Sequence, residues 1–339
     1  MRRTFLVLVC AVALIMSVVL PLCAQEDSST FHVMSRVEQL VYGGERTGGL
    51  VDRLNSVERD MFGRELPGSI AERQTALLTF IEKGTEYQPS LLFKLGVAEW
   101  AVERRIDSLS PVVKRVDALE VQLEGTPQVE RPVTMRLERV LGLLLSEPVT
   151  AAEVELPSAT IIRASLADSL SPKTAKKGDP VDMVLHSDLV VGSNLIAPKG
   201  SRVSAVVTDV TKPRSFGRPG EVKVGVESLF SIGSQPIPLT FGEESRQAVE
   251  GESAQLAAAG TSVVGALLLG PVGLVGGFLV RGDLKELPAG TVVFSQTADA
   301  VKVGAYPVPP GLQGLLKNPE KAEPAQTGTS GSAGNETTP

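Results

Sequence analysis

The sequence predicts an α+β protein. A region of short helical repeats comes first, followed by an all-β domain of barrel or sandwich type that carries an apolar, glycine-rich hairpin insert. Three observations predict this. A 20-residue unit is written twice near the start, as VEQLVYGGERTGGLVDR (37–53) and VERDMFGRELPGSIAER (57–73). Near Pro148 the hydrophobic period changes from helical to alternating. One phrase then recurs three times before alternating runs: LPSATIIRASLADSL (156–170), APKGSRVSAVVTDV (197–210) and LPAGTVVFSQTADAV (287–301).

Residues 1–24 read as a signal peptide. Arg2 and Arg3 precede an almost unbroken apolar run from Phe5 to Leu20, and PLCA offers a cleavage site after Ala24. A second reading acylates Cys23. Export is expected either way, to the periplasm or outer membrane of a bacterium. Both cysteines, Cys10 and Cys23, lie in this leader. Cleavage after Ala24 would therefore leave no disulfide, thiolate nucleophile or cysteine metal site. A mature chain of roughly 315 residues can bury a core without such staples. The full chain has 33 basic against 39 acidic residues. No Lys/Arg block offsets that balance, which argues against nucleic acid as a partner.

Residues 35–145 form the helical region. SRVE (35–38) and SIAE (69–72) fit the capping box, and Gly43, Gly63 and Gly84 stand where helices stop. Within the repeat, Val37 matches Val57, Tyr42 matches Phe62, Gly43 matches Gly63, Gly48 matches Gly68 and Arg53 matches Arg73. LEVQLEG (119–125) is a fainter third copy. Helices this short must stack on neighbours to bury their apolar faces. SLLFKLGVAEWAVERRI (90–106) is a longer helix carrying Trp100. Leu109, Val112, Val116, Leu119 and Leu123 then space as an a/d seam, open to packing in its own bundle or to self-association.

Residues 153–306 form the β-domain. In the recurring phrase, Pro cannot donate to a ladder and so precedes a strand, the Gly or Ala allows a sharp bend, and Ser or Thr satisfies turn amides. TKPRSFGRPG (211–220) connects two strands and gathers Lys212, Arg214 and Arg218 around Phe216, a candidate anion-binding loop. KKGDP (176–180) reads as a turn. Residues 318–339 are too polar to order themselves.

The insert, residues 254–280, is AQLAAAGTSVVGALLLGPVGLVGGFLV and holds no charge. As one helix it would span about 40 Å against a hydrocarbon core of about 30 Å. Gly270-Pro271 would break that helix near its middle. Three readings stand: a hairpin folded on the β-domain, a membrane-inserted element, or a glycine-rich loop. The candidate membrane-facing residues are Leu267, Leu268, Leu269, Gly273, Gly277 and Phe278, with Gly273 and Gly277 in small-xxx-small spacing.

Catalytic sets are sparse. His32 falls in a loose N-terminus by this reading. His186 and Asp188 share a strand-like run and read as solvated strand residues. No third metal ligand stands near them, and no G-x-S-x-G, H-E-x-x-H or P-loop pattern occurs. Neither enzyme activity, metal nor cofactor is expected.

SLSPKTAKKGDPV (169–181), LIAPKGSRV (195–203) and FGRPGEVKV (216–224) resemble, in order and spacing, a class of exported bacterial proteins that join helical repeats to a C-terminal β-domain. They are also similar to the β-barrel domain of the TrbI-type channel subunit of type IV secretion. That resemblance implies an apolar helical hairpin between strands that reaches the outer membrane, the place residues 254–280 would fill. The function expected is a non-enzymatic cell-envelope scaffold or interaction protein, associated with a membrane through the insert. Its partners would be other envelope proteins or further copies of itself. The alternative is a binding module for cell-wall glycan or another anionic polymer.

Overall fold

A computed structural model describes residues 22–85, 87–212, 220–258, 278–281 and 287–316. Among the described residues six helices come first: α1 (Leu22–Tyr42), α2 (Leu50–Phe62), α3 (Ile70–Leu78, continued by a π turn, Thr79–Lys83), α4 (Leu91–Glu103), α5 (Val112–Glu124) and α6 (Val133–Leu144). Apolar residues at helical spacing are buried, such as Leu54, Val57 and Met61 on α2 or Val112, Val116 and Leu119 on α5, while α4 is buried on nearly every side from Leu91 to Trp100. The α2 and α5 helices end on glycines in the left-handed region, Gly63 and Gly125. Ser69 forms the expected capping box with Glu72. SRVE does not, because Ser35 lies inside α1. His32 likewise sits in that helix rather than in a loose terminus.

The helices pack mainly with next neighbours and with those two apart, α1 on α3 and α4 on α6. In addition α1 meets α5 and α2 meets α6, so the six wrap into a closed cluster. The a/d seam packs inside this cluster at Val112, Val116 and Leu119. Leu109 and Leu123, its two ends, are partly exposed at 43% and 36%.

One ionic device is repeated at four of the five helix junctions. A buried glutamate on one helix receives the guanidinium of an arginine on the next and accepts a backbone N–H from the loop between them. Glu38 takes Arg53 and Arg46 N. Glu58 takes Arg73 and Leu66 N. Glu99 takes Arg115 and Asp107 N, and Glu120 takes Arg136 and Gln128 N. Between α3 and α4 both partners change together: Leu78 stands in the glutamate position and Lys94 in the arginine position. Lys94 reaches α6 instead, to Glu138 at 2.5 Å. The π turn adds one residue at this same junction.

Eleven strands follow among the described residues: β1 (Ala152–Leu156), β2 (Ile161–Leu166), β3 (Pro180–Leu185), β4 (Leu189–Val191), β5 (Asn194–Ala197), β6 (Arg202–Thr211), β7 (Glu221–Phe230), β8 (Pro236–Thr240), β9 (Phe278–Arg281), β10 (Val292–Thr297) and β11 (Val301–Pro307). Helix α7 (Glu243–Ala258) lies between β8 and β9. Strands β6, β3, β2, β10, β8 and β7 pair in that order, and β7 pairs back on β6, closing a six-stranded antiparallel barrel. Alternate residues fill it, among them Ile162, Met183, Val203, Val224, Ile237 and Val293. The remaining sheet, β1-β11-β5-β4, is the middle layer. Its Val303 and Ala305 join the barrel core, while Leu195 and Tyr306 join the helical core.

The recurring phrase becomes a recurring turn. In Pro157–Thr160, Pro198–Ser201 and Pro288–Thr291 the third residue has positive φ: Ala159 at 58°, Gly200 at 88° and Gly290 at 83°. Its N–H donates to the end of another strand, at Thr297, Leu185 and Leu166 respectively, and that residue's N–H returns to the carbonyl of the fourth turn residue. Lys176–Asp179 is a fourth copy, with Gly178 at 91° hooked to Val207. The turns therefore start β2, β3, β6 and β10; three tie to the last residue of a barrel partner, and the fourth ties the start of β3 to Val207 within β6.

Candidate functional site

Two regions stand out, the joint between helices and barrel and one edge of the barrel. The joint centres on Asp188. Its carboxylate accepts the indole N–H of Trp100 at 2.8 Å and the backbone N–H of Lys199 at 2.7 Å. Trp100 packs edge-on against Tyr306 and beneath the Arg104 guanidinium, 4.7 Å from its centroid. Arg104 ends α4 at φ 60°, the position glycine holds on α2 and α5. Burial lowers its pKa, against the opposing charge of Asp188. Around this hub, Ile106 N donates to Lys199 O and Ser108 Oγ to Gly200 O. A Cβ on Gly200 would collide with the Ile106 carbonyl.

Asp188 thus corrects the expectation of a solvated strand residue. The run around His186 breaks between β3 and β4, and in the break the Asp188 side chain is only 6% exposed because it ties Trp100 to the barrel. His186 is only partly buried, its backbone N–H bonded to Arg163 O. Sequence separation hid this joint, since Trp100 and Asp188 lie 88 residues apart.

The barrel edge is built from β6, β7 and β9. Thr211, the last residue of β6, pairs with Glu221, the first of β7, and on β7's other side Glu221 pairs with Arg281 of β9. Lys212 is exposed just beyond β6. Arg214, Phe216 and Arg218 lie outside the described residues, as do Leu267, Leu268, Leu269, Gly273 and Gly277. Phe278 opens β9. Residues 254–258 continue α7, and 278–280 belong to β9, so both flanks of the uncharged segment are barrel-bound. Helix α7 is pinned by Ser245 N, which donates to Gln296 Oε1 of β10 at 3.0 Å, and it also packs on β2. The chain thus leaves the barrel through α7 and returns to it at β9. Two candidate regions that stand far apart in sequence, the basic loop and the uncharged insert, have their roots on adjacent strands.

Among the described residues no group of three or more His, Cys, Asp or Glu could hold a metal ion, and no helix is long and apolar enough to cross a membrane. No family model and no curated protein matches this sequence.

Proposed function

We propose that this is an exported, non-enzymatic scaffold of the bacterial cell envelope that contacts a membrane at the β6–β7–β9 edge of its barrel. One observation carries the reading: β7 has on one side the strand that runs into the basic connection and on the other the strand to which the uncharged segment returns. An uncharged segment beside lysine and arginine suits a lipid surface, where apolar residues leave water and the cations meet anionic headgroups. The helical cluster, clamped by its glutamate–arginine pairs, supplies a rigid surface for envelope partners or for another copy of the chain. No cofactor takes part.

Fractionation tests the reading. Wild-type protein should remain with membranes through a carbonate wash, and Leu268→Arg should move it to the soluble fraction. A charge in the segment costs about 2.5 to 3.5 kcal/mol near a bilayer centre. Wild-type protein that fractionates as soluble would overturn the proposal. The second reading, binding of an anionic cell-wall polymer, draws on Lys212, Arg214, Phe216 and Arg218. It predicts retention on anionic polysaccharide that Leu268→Arg leaves intact.

A further inference from the structure

The helical cluster holds a glycine inside two of its helices, Gly96 in α4 and Gly142 in α6. Glycine weakens a helix, so each needs a reason. Gly96 has one. A Cβ there would come within 2.9 Å of Ile232, in the turn between β7 and β8, so the missing side chain lets the barrel seat on α4. At Gly142 the backbone is helical and a Cβ would meet open space among the described residues. The chain's own packing gives no reason for this glycine.

Gly142 stands in an exposed row. Met135, Glu138, Arg139, Gly142 and Leu143 follow one another at helical spacing on the outer face of α6. Met135 and Leu143 are 59% and 60% exposed. A groove of about 650 Å³ runs beside the row. Tyr87 and Pro89, from the junction without a clasp, wall one side, and Leu145, Pro148 and Val149, behind α6, wall the other. Tyr87 is 88% exposed on the lip. A glycine among bared apolar and aromatic side chains is a surface that a second helix can approach closely.

We infer that two copies of this chain pair through α6, antiparallel about a twofold axis at Gly142. Charge decides the occupant. Lys94 pairs with Glu138 and Arg139 with Glu124, so the face has no surplus of cations for an anionic lipid or polymer. Glu147, exposed just beyond α6, has no ion pair among the described residues. The face thus carries a partly exposed guanidinium, Arg139, before Gly142 and a free carboxylate after it. In an antiparallel pair a residue before the axis lies against one after it, so Arg139 reaches the partner's Glu147, twice by symmetry. Met135, seven residues before the axis, comes down on the partner's groove, and the two glycines let the helices touch. This pairing goes beyond the scaffold reading and does not depend on membrane contact at the barrel edge.

Sedimentation equilibrium of the protein in a mild non-ionic detergent tests the inference, the detergent keeping the uncharged segment from driving association by itself. Wild-type protein and Leu268→Arg should both be dimers. Gly142→Arg should be monomeric with unchanged helical circular dichroism, because the new side chain has open space within its own copy. Arg139→Glu and Glu147→Arg should each weaken the dimer about tenfold, the low end for close charge pairs across an interface, and the double swap should restore it to within about threefold. The inference is overturned if wild-type protein is monomeric, if Leu268→Arg alone abolishes association, if Gly142→Arg stays dimeric, or if the double swap fails to rescue.

Discussion

Glu58→Ala breaks one helix clasp and should be among the most damaging single changes in the helical cluster. The Glu58 side chain is fully buried. It accepts Nε of Arg73 at 2.9 Å, NH2 of Arg73 at 2.5 Å and the backbone N–H of Leu66 at 2.9 Å. Truncation would leave the Leu66 N–H unpaired. It would also leave the Arg73 guanidinium, 10% exposed, with Asn55 Oδ1 at 2.6 Å as its remaining bond. Removing one partner of a buried pair costs about 3–5 kcal/mol, because the other charge stays behind uncompensated. The surviving Asn55 bond places the expected loss near the lower end, about 3 kcal/mol. Urea unfolding followed by circular dichroism reads it. Arg73→Met should be destabilising too, and the double variant should lose less than the two single losses together by at least about 1 kcal/mol. A loss below about 1 kcal/mol for Glu58→Ala, or strict additivity in the double variant, would refute the idea that the clasp holds α2 to α3.

The junction without a clasp supplies the contrast. Glu138→Ala removes the partner of Lys94 but should cost less than about 1 kcal/mol in the same assay, since Glu138 is 58% exposed. Two glycines from sister turns should differ as well. Gly290→Ala has open space and should cost about 1 kcal/mol for its positive φ alone. Gly200→Ala also meets the Ile106 carbonyl and should cost about 3 kcal/mol or more, read as a drop in melting temperature. The acid limb of stability should depend on Glu120. Burial, the largest single influence, raises its pKa, but hydrogen bonds from Arg136 and from Gln128 N together hold it below the usual value. A depressed folded-state pKa adds stability above the unfolded value of about 4.3, and that stability is lost as pH falls through the folded pKa. Glu120→Gln should therefore flatten the decline in stability between about pH 6 and pH 3. An unchanged slope would count against the clasp's charge.

Much of this architecture can be read in the residues. The capping box at Ser69, the glycine stops and the recurring proline turns are local, so their chemistry is visible in a few consecutive positions. The Ser35 box misled because α1 already runs through it, and a capping residue inside a continuing helix has no open amide to cap. The clasps were half visible, since Arg53 and Arg73 align in the repeat. Later copies slip by a residue: Glu38 and Arg53 lie 15 positions apart, whereas Glu99 and Arg115 lie 16 apart. The added π-turn residue blurs the period further. Barrel and sandwich read alike because both bury alternate residues; the return pairing of β7 on β6 decides between them. Nor could spacing bring Asp188 to Trp100, or Thr211 and Arg281 to either side of Glu221. Those meetings depend on how the helical cluster and the barrel close.

The most direct test of membrane contact at the barrel edge is co-sedimentation of the protein with vesicles, some neutral and some containing anionic lipid. The protein should pellet with anionic vesicles, less so as salt rises. It should lose that affinity on Leu268→Arg, and lose its preference for anionic lipid when Lys212, Arg214 and Arg218 are all changed to glutamate. Protein that stays in the supernatant with every vesicle composition at low salt would contradict the account.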